Sequence, residues 1–212
     1  MNKKLFALKL LIIVWMVIFW WFMYSKLPEM IPTHWNIQWV ADDFWPKKVS
    51  LFMIPVITFF MLLMFQVLPK FDPKKENYPK FEKAYEAFQF AIIWFFAYLY
   101  VFTTFAAIYN LDINKFIFIW MWALFAILWN YMWKIRRNYF VWIRLPWTLE
   151  DDEIWNKTHR FWGKAFILSG IVLILSWIFS FNFPILVLIS IFGSIFVTMI
   201  YSYLEFRKAK KV

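Results

Sequence analysis

Six stretches of this chain are too long and too apolar to form the core of anything dissolved in water. They run roughly over residues 6–24, 50–68, 88–109, 116–133, 163–181 and 184–204. A helix needs about 20 mostly apolar residues to cross ~30 Å of hydrocarbon, and these stretches approach or meet that length. Lipid offers backbone amides no hydrogen-bond partner, so helices that close their own bonds are the form this pattern selects. Of the 212 residues, 64% are hydrophobic, against about 45–50% in soluble domains. No aqueous fold absorbs that excess. The first stretch, FALKLLIIVWMVIFWWFMY, is long, aromatic and without a small-residue cleavage site, so a retained span is expected rather than a signal peptide. No 20–50-residue repeat is visible. The expected fold is all-α: one integral membrane protein with six transmembrane helices and no soluble domain.

Charge orients those helices. Lysine and arginine gather at the N-terminus (Lys3, Lys4, Lys9), in the second loop (Lys70, Lys74, Lys75, Lys80, Lys83), in the fourth (Lys134, Arg136, Arg137, Arg144, Lys157, Arg160, Lys164) and in the tail. The alternate loops hold only Lys26, Lys47, Lys48 and Lys115. The positive-inside rule then places both termini in the cytoplasm, as an even number of spans requires. The net charge of +10 reads as basic flanks meeting anionic lipid, so membrane lipid is the expected partner and direct nucleic-acid binding is not. The chain has no cysteine, which excludes disulfides, thiolate nucleophiles and cysteine-ligated metals.

The central parts of the spans carry no ionisable residue, which counts against a proton-coupled transporter. Lys9 and Glu205 sit near span ends and are expected to snorkel. Gln66, Gln89, Asn130 and Asn182 are near ends too. Thr58, Thr103, Thr104, Ser169 and Ser176 suit helix packing. No zinc-protease, nucleophile-elbow or phosphate-loop motif occurs. His34 and His159, the two histidines, are expected on opposite membrane faces, so no shared metal site, no cofactor and no enzymatic activity are expected.

Three polar segments remain. In the second loop, PKFDPKKENYPKFEKAYEAFQ, Pro69, Pro73 and Pro79 favour an extended or turned chain. From Pro79 an interfacial amphipathic helix is expected, with Phe81, Tyr85 and Phe88 on one face. In the fourth loop, Pro146 sets a turn, Thr148 offers an N-cap, and Asp151 three residues on fits a capping box. Glu150, Asp151, Asp152 and Glu153 precede Lys157, Arg160 and Lys164, the order a helix dipole favours. A helix is expected from about 149 along the inner interface, either as a plain interfacial end or as a docking surface. The outer stretch LPEMIPTHWNIQWVADDFWPKK is stiffened by Pro28 and Pro32, which pre-organises Glu29, His34, Asn36 and Asp42. Trp35, Trp39, Phe44 and Trp45 suit headgroup depth. Imidazole, amide and carboxylate with no nucleophile beside them suit recognition of a peptide or polar headgroup rather than catalysis; an interfacial re-entrant loop is the alternative.

LPEMIPTHWNIQWVADDFWPK resembles the extracellular motif L-P-x-x-I-P-x-H-x-N-x-x-G-x-x-D-G of a domain of unknown function. NYFVWIRLPWTLEDDEIWNKTHRFWGK resembles the core motif N-x-x-x-G-I-R-x-P-W-T-L-x-x-x-x-W-x-x-T-H-R of the SdpI family of bacterial immunity proteins, and PKFDPKKENYPKFEKAY is also typical of it. The resemblance implies a six-span membrane protein conferring immunity to a secreted toxic peptide. It also implies signalling, in which the toxin-bound protein holds a cytoplasmic transcriptional repressor at the membrane. It divides the chain into a two-span unit, 1–68, and a four-span unit, 69–212. Pro28, Pro32, His34, Asn36 and Asp42 match the outer motif and, with Glu29, form the candidate toxin- or ligand-binding set. Asn138, Arg144, Pro146, Trp147, Thr148, Trp155, Thr158 and His159 match the inner motif and form the candidate partner-binding set. A transporter or channel for a peptide or hydrophobic solute is the alternative function.

The departures from the pattern share a theme. Trp39 and Trp142 stand where it has glycine, Asp43 replaces another glycine, and the whole chain holds 3 Gly against 16 Trp. Sequence drift is one explanation. The other is a gene from an organism that reads UGA as glycine, translated with UGA read as tryptophan. That predicts UGA at codons 39 and 142, and UGG at both rules it out.

Overall fold

Helices follow the apolar stretches. The computed structural model describes residues 3–36, 40–111, 124, 127–178 and 183–210. Its long helices are α1 (Lys3–Met23), α2 (Lys47–Phe71), α3 (Glu82–Tyr109), α5 (Asp152–Ile178) and α6 (Phe183–Lys210), with a short α4 (Pro146–Glu150) between α3 and α5. Five helices among the described residues are long and apolar enough to cross a membrane. Most of the expected fourth span, 116–133, lies outside the described residues, as does Trp39.

The outer segment is not the irregular loop expected of an all-α chain. It forms an antiparallel hairpin, β1 (Met30–Trp35) with β2 (Ala41–Pro46), paired from Met30↔Pro46 to Trp35↔Ala41 and irregular on either side of His34. In a two-stranded hairpin both strands are edges, so Pro32 and Pro46 cost no ladder bond on an outward-facing N–H. Lys47 closes its base: its backbone N–H donates to Glu29 O at 2.9 Å and its ammonium pairs with the Glu29 carboxylate at 2.9 Å.

The chain forms two compact units, each discontinuous in sequence. The first comprises Met1–Val67 and Glu86–Leu124. Its core holds Met16, Leu27, Ile31, Leu51, Ala97 and Tyr100, with Ile13, Leu62 and Ile93 as a second cluster. Phe19 meets Tyr100 and Phe105 edge-on, at 6.0 and 5.8 Å between ring centroids. Helix α3 ends at Tyr109, and Asn110 follows with a φ of 52°, the left-handed cap that asparagine tolerates better than most residues.

This unit overturns one expectation. Lys9 does not snorkel. It is fully buried, ion-paired with Glu86, and donates to Gln89 Oε1 at 2.6 Å. Gln66 donates to the same oxygen at 3.2 Å. A lysine about one turn short of mid-helix has a stem long enough to reach toward water, but here a carboxylate and amides on α3 and α2 supply partners inside the protein.

The second unit comprises Leu68–Tyr85 and Phe125–Val212. Helices α5 and α6 pack through small polar contacts suited to a medium without hydrophobic drive. Thr158 and Ser202 hydroxyls lie 2.7 Å apart, Ser169 donates to Ser190 O at 3.0 Å, and Phe161 stacks on Tyr201 at 4.1 Å. A Cβ at Gly163 would come within 3.3 Å of the Trp129 ring, so glycine there lets that indole lie against α5. Two local expectations are corrected. The aromatic face expected at the lipid interface is packed within protein at two of its three positions: Phe81 and Tyr85 are buried and meet Tyr78 at 4.9 and 5.2 Å, while Phe88 is half-buried. The N-cap of α5 is Asp151, not Thr148. Its Oδ1 accepts from the Glu153 and Ile154 N–H groups at 2.6 and 3.0 Å, because Pro146 starts a separate turn of helix that consumes Thr148.

Candidate functional site

The hairpin gathers the outer candidates. Its turn is closed by Asn36: the backbone N–H donates to Val40 O at 3.0 Å, and the side-chain oxygen accepts from Val40 N at 3.0 Å. That reciprocal closure sets the strands so that His34 Nδ1 and Asp42 Oδ1 lie 2.6 Å apart, with the two side chains 66% and 43% exposed. Asp43 bonds along its own strand, accepting from Phe44 N at 2.9 Å and from Trp45 Nε1 at 3.0 Å. Pro28 and Glu29 are exposed at the hairpin base and Pro32 is half-buried. The result is an exposed imidazole–carboxylate pair on a formed platform. Among the described residues no three histidine, aspartate or glutamate side chains cluster as a metal site would require. Beneath β1 a cavity of about 90 Å³ is lined by Ile31, Pro32, Trp35, Leu51 and Tyr100, among others. The Tyr100 hydroxyl is buried there without a hydrogen-bond partner.

The inner candidates behave differently. Asn138, Thr148, Trp155, Thr158 and His159 are all at most 1% exposed. Asn138, Thr148, Trp155 and His159 hold the irregular segment 134–148 in place, while the Thr158 hydroxyl meets that of Ser202. Asn138 Oδ1 accepts from Phe140 N and Val141 N at 3.0 and 2.7 Å, while its amide donates to Arg136 O at 2.9 Å. Trp155 Nε1 donates to Ile135 O at 2.9 Å. His159 Nδ1 lies 2.8 Å from Trp155 O, and its Nε2 accepts from Ile143 N at 3.3 Å. A carbonyl on one ring nitrogen and an N–H on the other fix the neutral tautomer with the proton on Nδ1. Thr148 Oγ1 accepts from Leu145 N at 2.9 Å, and Pro146 occupies the first turn of α4, where a missing N–H costs nothing. Trp147 Nε1 donates to Ser202 Oγ at 2.9 Å. Only Arg144 and Pro146 of this set are exposed, with Arg144 donating to Tyr139 O at 2.9 Å.

Trp142 is the strained position in this segment. Its φ of 75° lies in the left-handed region that favours glycine. The turn it makes presents the next residue, Ile143, to His159. Its ring meets Trp162 edge-on at 5.6 Å.

Two groups of side chains escaped the sequence reading. Asp72 is 2% exposed and accepts from Lys74 N, Tyr78 OH and Tyr139 N at 2.7, 3.0 and 2.9 Å, tying the second polar segment to the fourth. The Lys9–Glu86–Gln89–Gln66 cluster is the other. The Gln89 amide nitrogen and the Gln66 side-chain oxygen in it are buried without partners. A run of D-P-K-K or a lone lysine in an apolar run signals neither; only chain topology brings the partners together.

Residues 134–202 match the family model of the SdpI/YfhL protein family, and residues 11–59 match a domain of unknown function, DUF1648. The chain is 25% identical over 167 residues to the Immunity protein SdpI of Bacillus subtilis (strain 168), covering 79% of this chain and 78% of that protein. No solved structure matches. The resemblance to the SdpI family is thereby borne out over the inner motif region and that to the domain of unknown function over the outer one, and with five apolar helices the chain is a multi-pass protein of the cell membrane.

Proposed function

Taking that family likeness as the premise, we propose that this chain is an SdpI-like immunity protein, protecting its cell from a secreted antimicrobial peptide. It crosses the membrane six times with both termini inside, carries the outer recognition unit in residues 1–68 and the SdpI-like unit in 69–212. The hairpin meets the peptide through His34, Asn36 and Asp42, with Pro28, Glu29 and Pro32 framing the base. The single observation that carries this reading is the exposed His34–Asp42 pair on a hairpin that Asn36 closes. A chain does not retain an exposed, pre-ordered imidazole–carboxylate pair for packing. The inner segment signals by receiving a cytoplasmic transcriptional repressor. The buried residues Asn138, Thr148, Trp155, Thr158 and His159 shape its surface, and Arg144, Pro146 and Trp147 are the side chains a partner reaches.

A toxin challenge tests the outer site. Sensitive cells expressing the chain are exposed to culture supernatant of the producing organism. His34→Ala and Asn36→Ala are expected to lose protection at unchanged membrane abundance; full survival of both variants sinks the outer site. Arg144→Ala is expected to weaken pull-down of a cytoplasmic regulator, and absence of any soluble partner on the wild type removes the signalling half.

The buried Lys9–Glu86 pair favours a second reading, a transporter or channel for a peptide or hydrophobic solute, because ionisable residues inside spans mark pathways. Flux of the toxic peptide into proteoliposomes, abolished by Lys9→Met, supports it over immunity by capture.

A further inference from the structure

The second unit carries a feature that neither motif explains. A groove of about 630 Å³ opens where the 3-10 turn over Lys75–Phe81, the first turn of α3, the segment 133–136 and the first half of α5 converge. Its polar walls present Lys80, Lys83, Lys134, Arg136 and Arg160 against one carboxylate, Glu82. These five cations come from three separate parts of the chain, so the accumulation is a product of folding and not of a basic run. No described carboxylate forms an ion pair with Lys83, Arg136 or Arg160. That contrasts with Arg137, Lys157 and Lys208, which do have carboxylate partners. Charges of one sign held together at an open groove repel one another, and an anion relieves that repulsion.

We propose that this groove is a binding site for the phosphate headgroup of an anionic phospholipid. Guanidinium groups match a phosphodiester with paired N–H donors, and the lysines add point charge. Two observations favour a lipid over a soluble anion. The groove lies at the ends of two membrane-crossing helices, the one beginning at Lys75 and the one beginning at Asp152, where basic pockets meet acidic headgroups. Its rim carries Trp133, half exposed, with the Lys134 ammonium 5.3 Å from that ring and 4.8 Å from the Tyr131 ring. An exposed indole beside a basic groove is the arrangement of a headgroup-depth anchor, with the ring among the upper acyl carbons and the cations at the phosphate.

The full chain, purified in a neutral detergent, is titrated with phosphatidylglycerol, with phosphatidylcholine of the same acyl chains, and with inorganic phosphate. Retained adducts are counted by native mass spectrometry and thermal stability is followed alongside. Phosphatidylglycerol is expected to be retained at concentrations roughly tenfold below phosphatidylcholine. Arg136→Gln with Arg160→Gln is expected to erase that preference. Lys83→Gln with Lys134→Gln is expected to do the same, should the arginine pair impair folding. Lys70→Gln with Lys75→Gln, which removes as much charge outside the groove, is expected to leave the preference intact. Equal retention of the two lipids by the wild type overturns the proposal. So does a preference that survives both groove variants, stabilisation by inorganic phosphate equal to that by phosphatidylglycerol, or displacement of the lipid by an acidic peptide at equal concentration.

Discussion

Lys9→Met is the sharpest perturbation of the first unit. Lys9 is fully buried and Glu86 is 6% exposed, so removing the ammonium leaves a carboxylate with neither water nor cation. Breaking one side of such a pair costs about 3–5 kcal/mol, a factor of about 10² to a few 10³ in the folded-to-unfolded ratio. Loss of the bond from Lys9 to Gln89 contributes little more, because Gln66 still donates to the same Gln89 oxygen at 3.2 Å. Replacing both partners by apolar side chains removes the stranded charge. Lys9→Met with Glu86→Met should therefore return to within about 1 kcal/mol of the wild type, or exceed it. With Glu86→Met alone costing a similar amount, the coupling energy of the cycle is about 5–10 kcal/mol. Reversible unfolding in mixed detergent–SDS micelles, followed by helical circular dichroism, measures all four proteins. A Lys9→Met protein as stable as wild type refutes the reasoning. So does a double variant no better than the single one, since charge balance would then not be what the cluster provides.

The remaining expectations concern the inner segment. Asn138→Ala orphans the Phe140 and Val141 N–H groups and should lose about 1–3 kcal/mol per buried donor left unpaired; faster proteolytic cleavage within 134–148 reads this out. Asp151→Ala removes the α5 N-cap and should cost about 1 kcal/mol, whereas Asp151→Ser should keep most of it. Trp142→Gly relieves about 1–2 kcal/mol of left-handed strain and forfeits about 0.5–1.5 kcal/mol of ring contact with Trp162. It should therefore cost less in the same unfolding assay than Trp142→Ile, which keeps the strain and also loses the ring contact.

How far the sequence leads depends on the range of the interaction. The spans are read from twenty consecutive residues, and the helices over 3–23, 47–71 and 183–210 fall where composition puts them. The outer candidates were found through resemblance and proline stiffness, but their pairing into a hairpin was not visible: Pro32 and Pro46 argue against a strand unless both strands are edges. The inner motif was legible as residue types and misleading as to role. Asparagine, threonine, histidine and arginine look like contact residues in a polar loop, yet most of them satisfy the backbone of that loop from inside. Lys9 finds Glu86 across 77 positions, and no local pattern announces such a pair. Trp142 is the converse case. Its mismatch with the family pattern was apparent, and the φ of 75° gives it a physical meaning: the backbone there has the conformation glycine adopts without strain, whichever codon stands in the gene.

If the hairpin receives the peptide, its backbone is shielded when the peptide binds. Hydrogen–deuterium exchange on the full chain in lipid nanodiscs, with and without the secreted peptide that kills cells lacking it, locates the contact directly. Slower exchange is expected across Met30–Pro46, and its loss in His34→Ala. Unchanged exchange there, or protection confined to the helix segments around Lys9, Gln66 and Glu86, contradicts the claim and points to passage through the spans instead.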